Sequence, residues 1–316
     1  MRPLVRKVQC LDALWNLGFV MLLLTSAGVQ AQDTDPYLFI LGVVQDAGYP
    51  QAGCYGPHCL PGWEDPALRR GATSVALVDP ASRRNFLFEA TPNLPAQLFD
   101  LREQADYPLA GVFLTHAHIG HYAGLMFFGR EAMGASGIPV YAMPRMTAFL
   151  SSNGPWEQLI TLDNIRLFPI SEQRPVNAGE ITVTPFLVPH RDEYSETVGY
   201  HIQGPNRSAL FIPDINKWSD WEVDIAELVL QVDYALLDAT FYADGELGNR
   251  DMSQIPHPFV SESMARFQGF SAEQRQKVWF IHFNHTNPLL DAASEASLFV
   301  TREGFNIARE GIRLPL

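Results

Sequence analysis

Basic residues, cysteines and long apolar runs are all scarce in this chain. Of its 316 residues, 22 are Lys or Arg against 35 Asp or Glu, for a formal net charge of −13, and no Lys/Arg cluster interrupts the acidic background. An acidic exterior without a basic funnel repels a polyanion, which argues against nucleic acid as a partner and leaves a small molecule as the expected one. There is no internal repeat and no low-complexity tract, and the linker-like Pro/Gly patches, such as residues 53–66, are short. With 47% hydrophobic residues the length supports a sizeable core, and a single domain is the reading.

The apolar run at residues 17–24 falls short of the ~20 residues that a membrane span needs. Arg2, Arg6 and Lys7 precede it, and small residues follow up to Val29-Gln30-Ala31-Gln32. A basic start, a short apolar stretch and small residues at the cleavage positions describe a secretory signal peptide, residues 1–31, cut after Ala31. The expected product is residues 32–316, exported to the periplasm or beyond, with no stable membrane anchor. It has 19 basic against 34 acidic residues, a net charge of −15, and it keeps Cys54 and Cys59 but not Cys10. Disulfides are permitted in such a compartment. The oligomeric state is not written in the sequence.

Period-two patterning predicts strands at residues 37–44, 74–78 and 85–89, the last two as a hairpin around Asp79-Pro80-Ala81-Ser82. Helical spacing follows at 94–103, then a strand at 110–114 and a buried helix at 121–130. Further strands are expected at 139–142, 160–170, 180–188, 197–203, 208–213, 234–239 and 278–283, with helices at 221–230, 259–267 and 291–301. Strands paired locally, with helices interspersed, suggest two packed sheets flanked by helices.

The strand at 110–114 runs into Thr115-His116-Ala117-His118-Ile119-Gly120-His121. Residues two apart on an extended strand share a face, so His116 and His118 point the same way, and a helix starting next brings His121 beside them. Neutral imidazole is the commonest metal ligand. Other strands also end on side chains that bind metal: His190 after 181–189, Asp214 after 209–213, and His282 after 278–281. His201, inside a strand, reads as a packed or surface histidine.

This order of His-x-His-x-x-His, a strand-end His, a strand-end Asp and a final His resembles the metallo-β-lactamase superfamily. The resemblance covers nearly the whole mature chain and implies an α/β fold, an αββα four-layer sandwich. It implies that His116, His118 and His190 form a first metal site, that Asp214 bridges, and that His121 and His282 serve a second. The subgroup it resembles contains proteins similar to coenzyme PQQ synthesis protein B and to the phosphonate-pathway cyclic phosphodiesterase. Gly53-Cys54, Leu237-Asp238-Ala239-Thr240-Phe241 and Ile281-His282-Phe283-Asn284-His285-Thr286-Asn287-Pro288 carry that likeness. The departure is Gly120, where the superfamily usually places an aspartate, so the second site should bind more weakly. Asp192 is a candidate for reaching toward the gap.

The cluster permits definite chemistry. A bound divalent metal lowers the pKa of its water to ~7 and polarises a carbonyl or phosphoryl oxygen. Asp214 would orient the hydroxide, Asp238 would accept an imidazole N–H from outside the ligand shell, and His285, three residues past His282, would donate a proton to the leaving group. One or two Zn2+ ions are expected in the active site, with iron as the alternative metal. Separately, Cys54-Tyr55-Gly56-Pro57-His58-Cys59 is a tight turn with three donors that zinc favours, and it needs a fourth. In the relatives such a turn binds a structural Zn2+ together with a late histidine, and His257 stands at the matching position. Zinc on Cys54, His58, Cys59 and His257 is the expectation, with a Cys54–Cys59 disulfide as the alternative.

Three functions are compatible with this reading. The first is an exported metallo-hydrolase acting on a small ester, lactone or phosphodiester. The second is an oxidative enzyme of the PQQ synthesis protein B kind, using a redox metal in the same pocket in cofactor biosynthesis. The third is a binding protein that keeps the fold without turnover.

Overall fold

Alternation in the first strands already places the sheet between two apolar layers. In β1 (Tyr37–Gly42), Leu38 and Ile40 enter one core while Phe39 and Leu41 enter another; in β2 (Ser74–Asp79), Val75 and Leu77 join the first and Ala76 and Val78 the second. A period of two with both faces apolar means a sheet covered on both sides. These residues come from a computed structural model that describes residues 35–248 and 250–316, so the expected signal peptide lies outside the described residues.

β3 (Arg84–Phe88), β4 (Leu109–Phe113), β5 (Ile138–Ala142) and β6 (Ile165–Pro169) extend this sheet. The second sheet is built from β7 (Val176–Ala178), β8 (Ile181–Leu187), β9 (Val198–Gln203), β10 (Ser208–Ile212), β11 (Tyr234–Asp238), β12 (Val278–Ile281) and β13 (Asn306–Ile307). β14 (Arg313–Pro315) returns to pair antiparallel with β1. Among the described residues the strand orders are β14-β1-β2-β3-β4-β5-β6 and β13-β12-β11-β10-β9-β8-β7. The larger core lies between the sheets, where Phe88, Phe113, Tyr200 and Phe211 pack together. Helix Leu94–Gln104 buries Leu94 and Leu101 on the outer face of the first sheet, and helices Ile225–Leu230 and Val260–Arg266 cover the second with Ile225, Val229 and Val260. The layers are helix, sheet, sheet, helix, as in the metallo-β-lactamase fold.

Pairing direction decides where the chemistry sits. β3, β4 and β5 run parallel, as do β10, β11 and β12, so the carboxyl ends of each set share one edge. β8 is antiparallel to β9 and β9 to β10, which brings the end of β8 to the same edge. Ligand sites in α/β sheets form outside such strand ends. The Val198 N–H donates to the Thr115 carbonyl at 3.2 Å, tying the two sheets together at this rim.

Two expected elements differ. The strand predicted at 160–170 is a helix, Trp156–Thr161, followed by β6, because the chain turns at Asp163, whose φ is +55°, and Asn164. The helix predicted at 121–130 is a short α-helix, Ile119–Tyr122, continued by a 3-10 segment, Ala123–Phe128.

Candidate metal centre

Six residues of the centre sit at or just past the end of a strand at that rim; His121 comes from the short helix Ile119–Tyr122. His116 and His118 follow β4, His190 follows β8, Asp214 follows β10, Asp238 ends β11 and His282 follows β12. His116 Nε2 lies 2.9 Å and His190 Nε2 3.2 Å from His118 Nδ1. Asp214 Oδ2 is 3.4 Å from His116 Nε2 and 3.2 Å from His190 Nε2. Three imidazole nitrogens and a carboxylate oxygen thus aim at one small volume.

The far nitrogen of each ring meets an outer group. His116 Nδ1 is 2.8 Å from Thr115 Oγ1, His118 Nε2 3.1 Å from Glu193 Oε2, and His190 Nδ1 3.3 Å from Asn216 Oδ1. Such outer partners fix ring orientation in metal sites. Burial holds His116 well below its ordinary pKa, with His121 adding repulsion, and burial also lowers His118. Both are therefore neutral and able to ligate.

His121 and His282 form a second set with Asp214, their donor atoms lying within 4.8 Å of one another. Both Nε2 atoms are buried without a hydrogen-bond partner, and that of His121 lies 3.7 Å from Asp214 Oδ2. A buried polar atom left unpaired is costly, and two imidazole nitrogens so placed beside a carboxylate fit a cation. The donor types suit a transition metal: imidazoles with a carboxylate. Burial works to raise Asp214, but His190 and His257 outweigh it and hold the carboxyl well below the usual range.

His257 is the main correction to the sequence reading. It is not a ligand of the cysteine turn: its Nδ1 lies 2.8 Å from Asp238 Oδ2 and 3.2 Å from Asp214 Oδ1, inside the centre. The loop that follows the 3-10 turn Met252–Gln254 folds back over the end of β11 and delivers it. Burial works to lower its pKa, yet Asp238 and Asp214 push it up to about 9. Asp238 is fully buried and accepts from the Ile215 and Thr240 N–H groups and from Thr240 Oγ1, as well as from His257. Burial works to raise Asp238, but His257 and His282 outweigh it and leave it at about 2. The sequence reading has Asp238 accept from a metal-bound imidazole; its imidazole partner here is His257, whereas the ligand candidate His282 has its Nδ1 3.9 Å from Asp238 Oδ1 and 3.0 Å from Thr240 Oγ1.

The expected zinc set of Cys54, His58, Cys59 and His257 is not assembled. Cys54 and Cys59 form a disulfide, with Cα atoms 5.8 Å apart, and His58 is exposed. His285 stands beside this pair, its donor atom within 4.8 Å of both sulfurs. It therefore does not join the metal cluster as the proton donor expected of it; the turn after His282 carries it past the rim. Asp192 does not reach the Gly120 gap either, because Arg145 holds it at 2.9 Å on the exposed side. His201 is a half-buried strand residue away from the centre.

There is no gap to fill at Gly120. A Cβ there would lie 2.4 Å from the Cα and 2.7 Å from the carbonyl oxygen of Asp46, so the backbone of the 45–47 loop occupies the space. Two further acidic residues escaped the sequence reading. Asp46 had no local signal. Glu89 did, since it closes β3 as the recognised ligands close their strands.

A model of the Beta-lactamase superfamily domain matches residues 84–283. The chain is 27% identical over 303 residues to coenzyme PQQ synthesis protein B of Methylobacterium sp. (strain 4-46), covering 88% of this chain and 99% of the relative. It is 25% identical over 306 residues to the protein of that name from Xanthomonas campestris pv. campestris (strain B100), covering 88% and 99%. Among solved structures it is similar to Zn(2+)-bound PqqB from Methylobacterium extorquens, with a TM-score of 0.71, 24% identity and coverage of 89% and 100%. A diphosphatase from the PhnP family gives a TM-score of 0.61 at 20% identity, with coverage of 89% and 97%. The fold, the rim of histidines and aspartates and the matched domain agree: this chain belongs to the β-lactamase superfamily.

Proposed function

We propose that the chain is an exported, metal-dependent enzyme of the PQQ synthesis protein B type that carries out oxidative chemistry on a small molecule. The observation that carries this reading is the set His121, Asp214 and His282. Two imidazoles and one carboxylate, all buried, are the donors typical of non-haem ferrous oxygenases. The similarity to PQQ synthesis proteins over 88% of the chain supports it.

His121, His282 and Asp214 would hold one ion, and His116, His118, His190 and Asp214 another. When bound, a redox metal supplies Lewis acidity and the electrons that activate dioxygen. The chain's own part is to place and charge the surroundings. Asp214 stays ionised and belongs to both donor sets. In the metal-free protein Asp238 and Asp214, 2.8 and 3.2 Å from its Nδ1, hold a proton on His257, which makes it a candidate proton donor beside the centre. Asp238, anchored by three donors besides His257, keeps that imidazole in place. Glu193 and His118 lie on the exposed side, where a substrate enters.

A second reading, zinc-dependent hydrolysis of a small ester, lactone or phosphodiester, is favoured by one observation: His116, His118 and His190 with Asp214 are donors that suit zinc. The two are separated by loading metal-stripped protein anaerobically with Fe(II) and adding nitric oxide. The oxidative reading expects the half-integer-spin signal of a ferrous nitrosyl, abolished in His282→Ala, and metal-dependent oxygen uptake. Tight Zn(II) binding with ester or phosphodiester turnover, and no nitrosyl signal, overturns it in favour of hydrolysis.

A further inference from the structure

Glu89 is completely buried, and neither of its carboxylate oxygens has a hydrogen-bond partner. An unpaired buried carboxylate is expensive unless a positive centre lies beside it. The nearest candidate is His121: its Nδ1 lies 3.6 Å from Glu89 Oε1 and has no other partner. Its Nε2, equally unpartnered, lies 3.7 Å from Asp214 Oδ2. The imidazole therefore stands between two carboxylates, within 4 Å of each.

The backbone fixes this arrangement. The Glu89 N–H donates to the Phe113 carbonyl at 2.9 Å, and the Ala90 N–H donates to the carbonyl of His121 itself at 2.9 Å. Glu89 also carries a φ of +77°, a conformation that non-glycine residues adopt only where the surroundings impose it. Asp46 at +52° and His282 at +71° do the same around the same imidazole.

Position 120 offers no carboxylate, and the Asp46 backbone leaves no room for one. On the reading that a metal occupies this centre, we propose that Glu89 is the positioning residue of the second metal position. Its carboxylate faces the His121 Nδ1 at 3.6 Å, favours the tautomer with the proton on Nδ1, leaves Nε2 free for the metal, and supplies at one remove the negative charge that position 120 lacks. Carboxylate–histidine–metal relays of this kind raise ligand basicity, and losing the outer partner typically costs 10–100-fold in metal affinity.

The test titrates metal-stripped protein with Co(II) against a competing chelator, in wild type, Glu89→Gln, Glu89→Asp, His121→Ala and the Glu89→Gln/His121→Ala double variant. Long-range 15N NMR of the zinc-loaded protein reads the His121 tautomer. Expected is a loss of about 10–100-fold in the weaker Co(II) equivalent in Glu89→Gln, with the tighter equivalent unchanged and partial recovery in Glu89→Asp. No further loss is expected when Glu89→Gln is added to His121→Ala. His121 should carry its proton on Nδ1, protected from exchange in wild type and not in Glu89→Gln. Equal weakening of both equivalents, the same loss with and without His121, or an Nε2–H tautomer would overturn the assignment and reduce Glu89 to a packing role. Wild-type protein that binds no Co(II) would instead overturn the metal reading itself, and the proposal with it.

Discussion

Replacing Asp238 with Asn removes one charge from the interior and changes almost nothing in shape. The carboxylate is fully buried and accepts from Ile215 N at 3.1 Å, Thr240 N at 2.8 Å, Thr240 Oγ1 at 2.7 Å and His257 Nδ1 at 2.8 Å. Removing one partner of a buried pair costs about 3–5 kcal/mol, because the other is left uncompensated. The rise of His257 from 6.5 to about 9 gives a similar scale. It corresponds to about 3 kcal/mol in favour of the charged ring, part of which belongs to Asp214. A coupling of about 1–3 kcal/mol between Asp238 and His257 is therefore expected. The pH window follows from the directions of the two shifts. The histidine's contribution is complete below 6.5 and is lost as pH rises through about 9. That of the aspartate is complete above 3.8 and is lost as pH falls to about 2. Urea unfolding of chelator-treated wild type, Asp238→Asn, His257→Gln and the double variant measures the coupling as a cycle, at about pH 6 and again at about pH 10. Additive losses at pH 6, within about 0.5 kcal/mol, or a coupling equally large at pH 10, would refute the reasoning.

Other expectations are more local. Gly120→Ala sets a methyl group against the Asp46 backbone and should destabilise by about 1–3 kcal/mol in urea unfolding, while Gly120→Asp should gain no metal despite its added carboxylate. The Cys54–Cys59 pair should appear as two missing hydrogens in the non-reduced intact mass, and Cys54→Ser should leave metal in the histidine centre unchanged; a metal lost with that variant would show zinc on the turn instead. Protein recovered from an outer compartment should begin at Gln32, read by N-terminal mass, and an intact Met1 there would remove the case for cleavage.

Strand-end chemistry was legible because its rule is short-range. A period-two strand fixes which face His116 and His118 share, and the helix that follows places His121. His190, Asp214 and His282 each sit just past an apolar run whose burial is evident from composition. The four-layer fold followed from the same alternation and from the family likeness. His257 was not legible in this way, because it lies on a proline-flanked loop. Only the return of that loop over β11 decides that it meets Asp238 rather than the cysteine turn. His285 fails for the mirror-image reason: proximity in sequence to His282 does not survive the turn between them. Gly120 looked like a gap that Asp192 could reach, because the Asp46 loop, seventy-odd residues upstream, leaves no trace at that position. Glu89 could have been found, since it follows its strand as several of the ligands follow theirs. An acidic residue after an apolar strand, however, is usually a solvated turn residue, and only its burial marks it.

The central claim is that the rim of histidines and aspartates holds a metal and that the metal is redox active. Elemental analysis of protein purified from its native compartment without chelators, alongside His116→Ala and His282→Ala, tests it most directly. The account predicts iron in wild type, with metal lost from each variant while both still unfold cooperatively. Wild-type protein without a transition metal, or variants that keep its full metal content, would contradict the centre; zinc alone in a fully active enzyme would contradict the redox role.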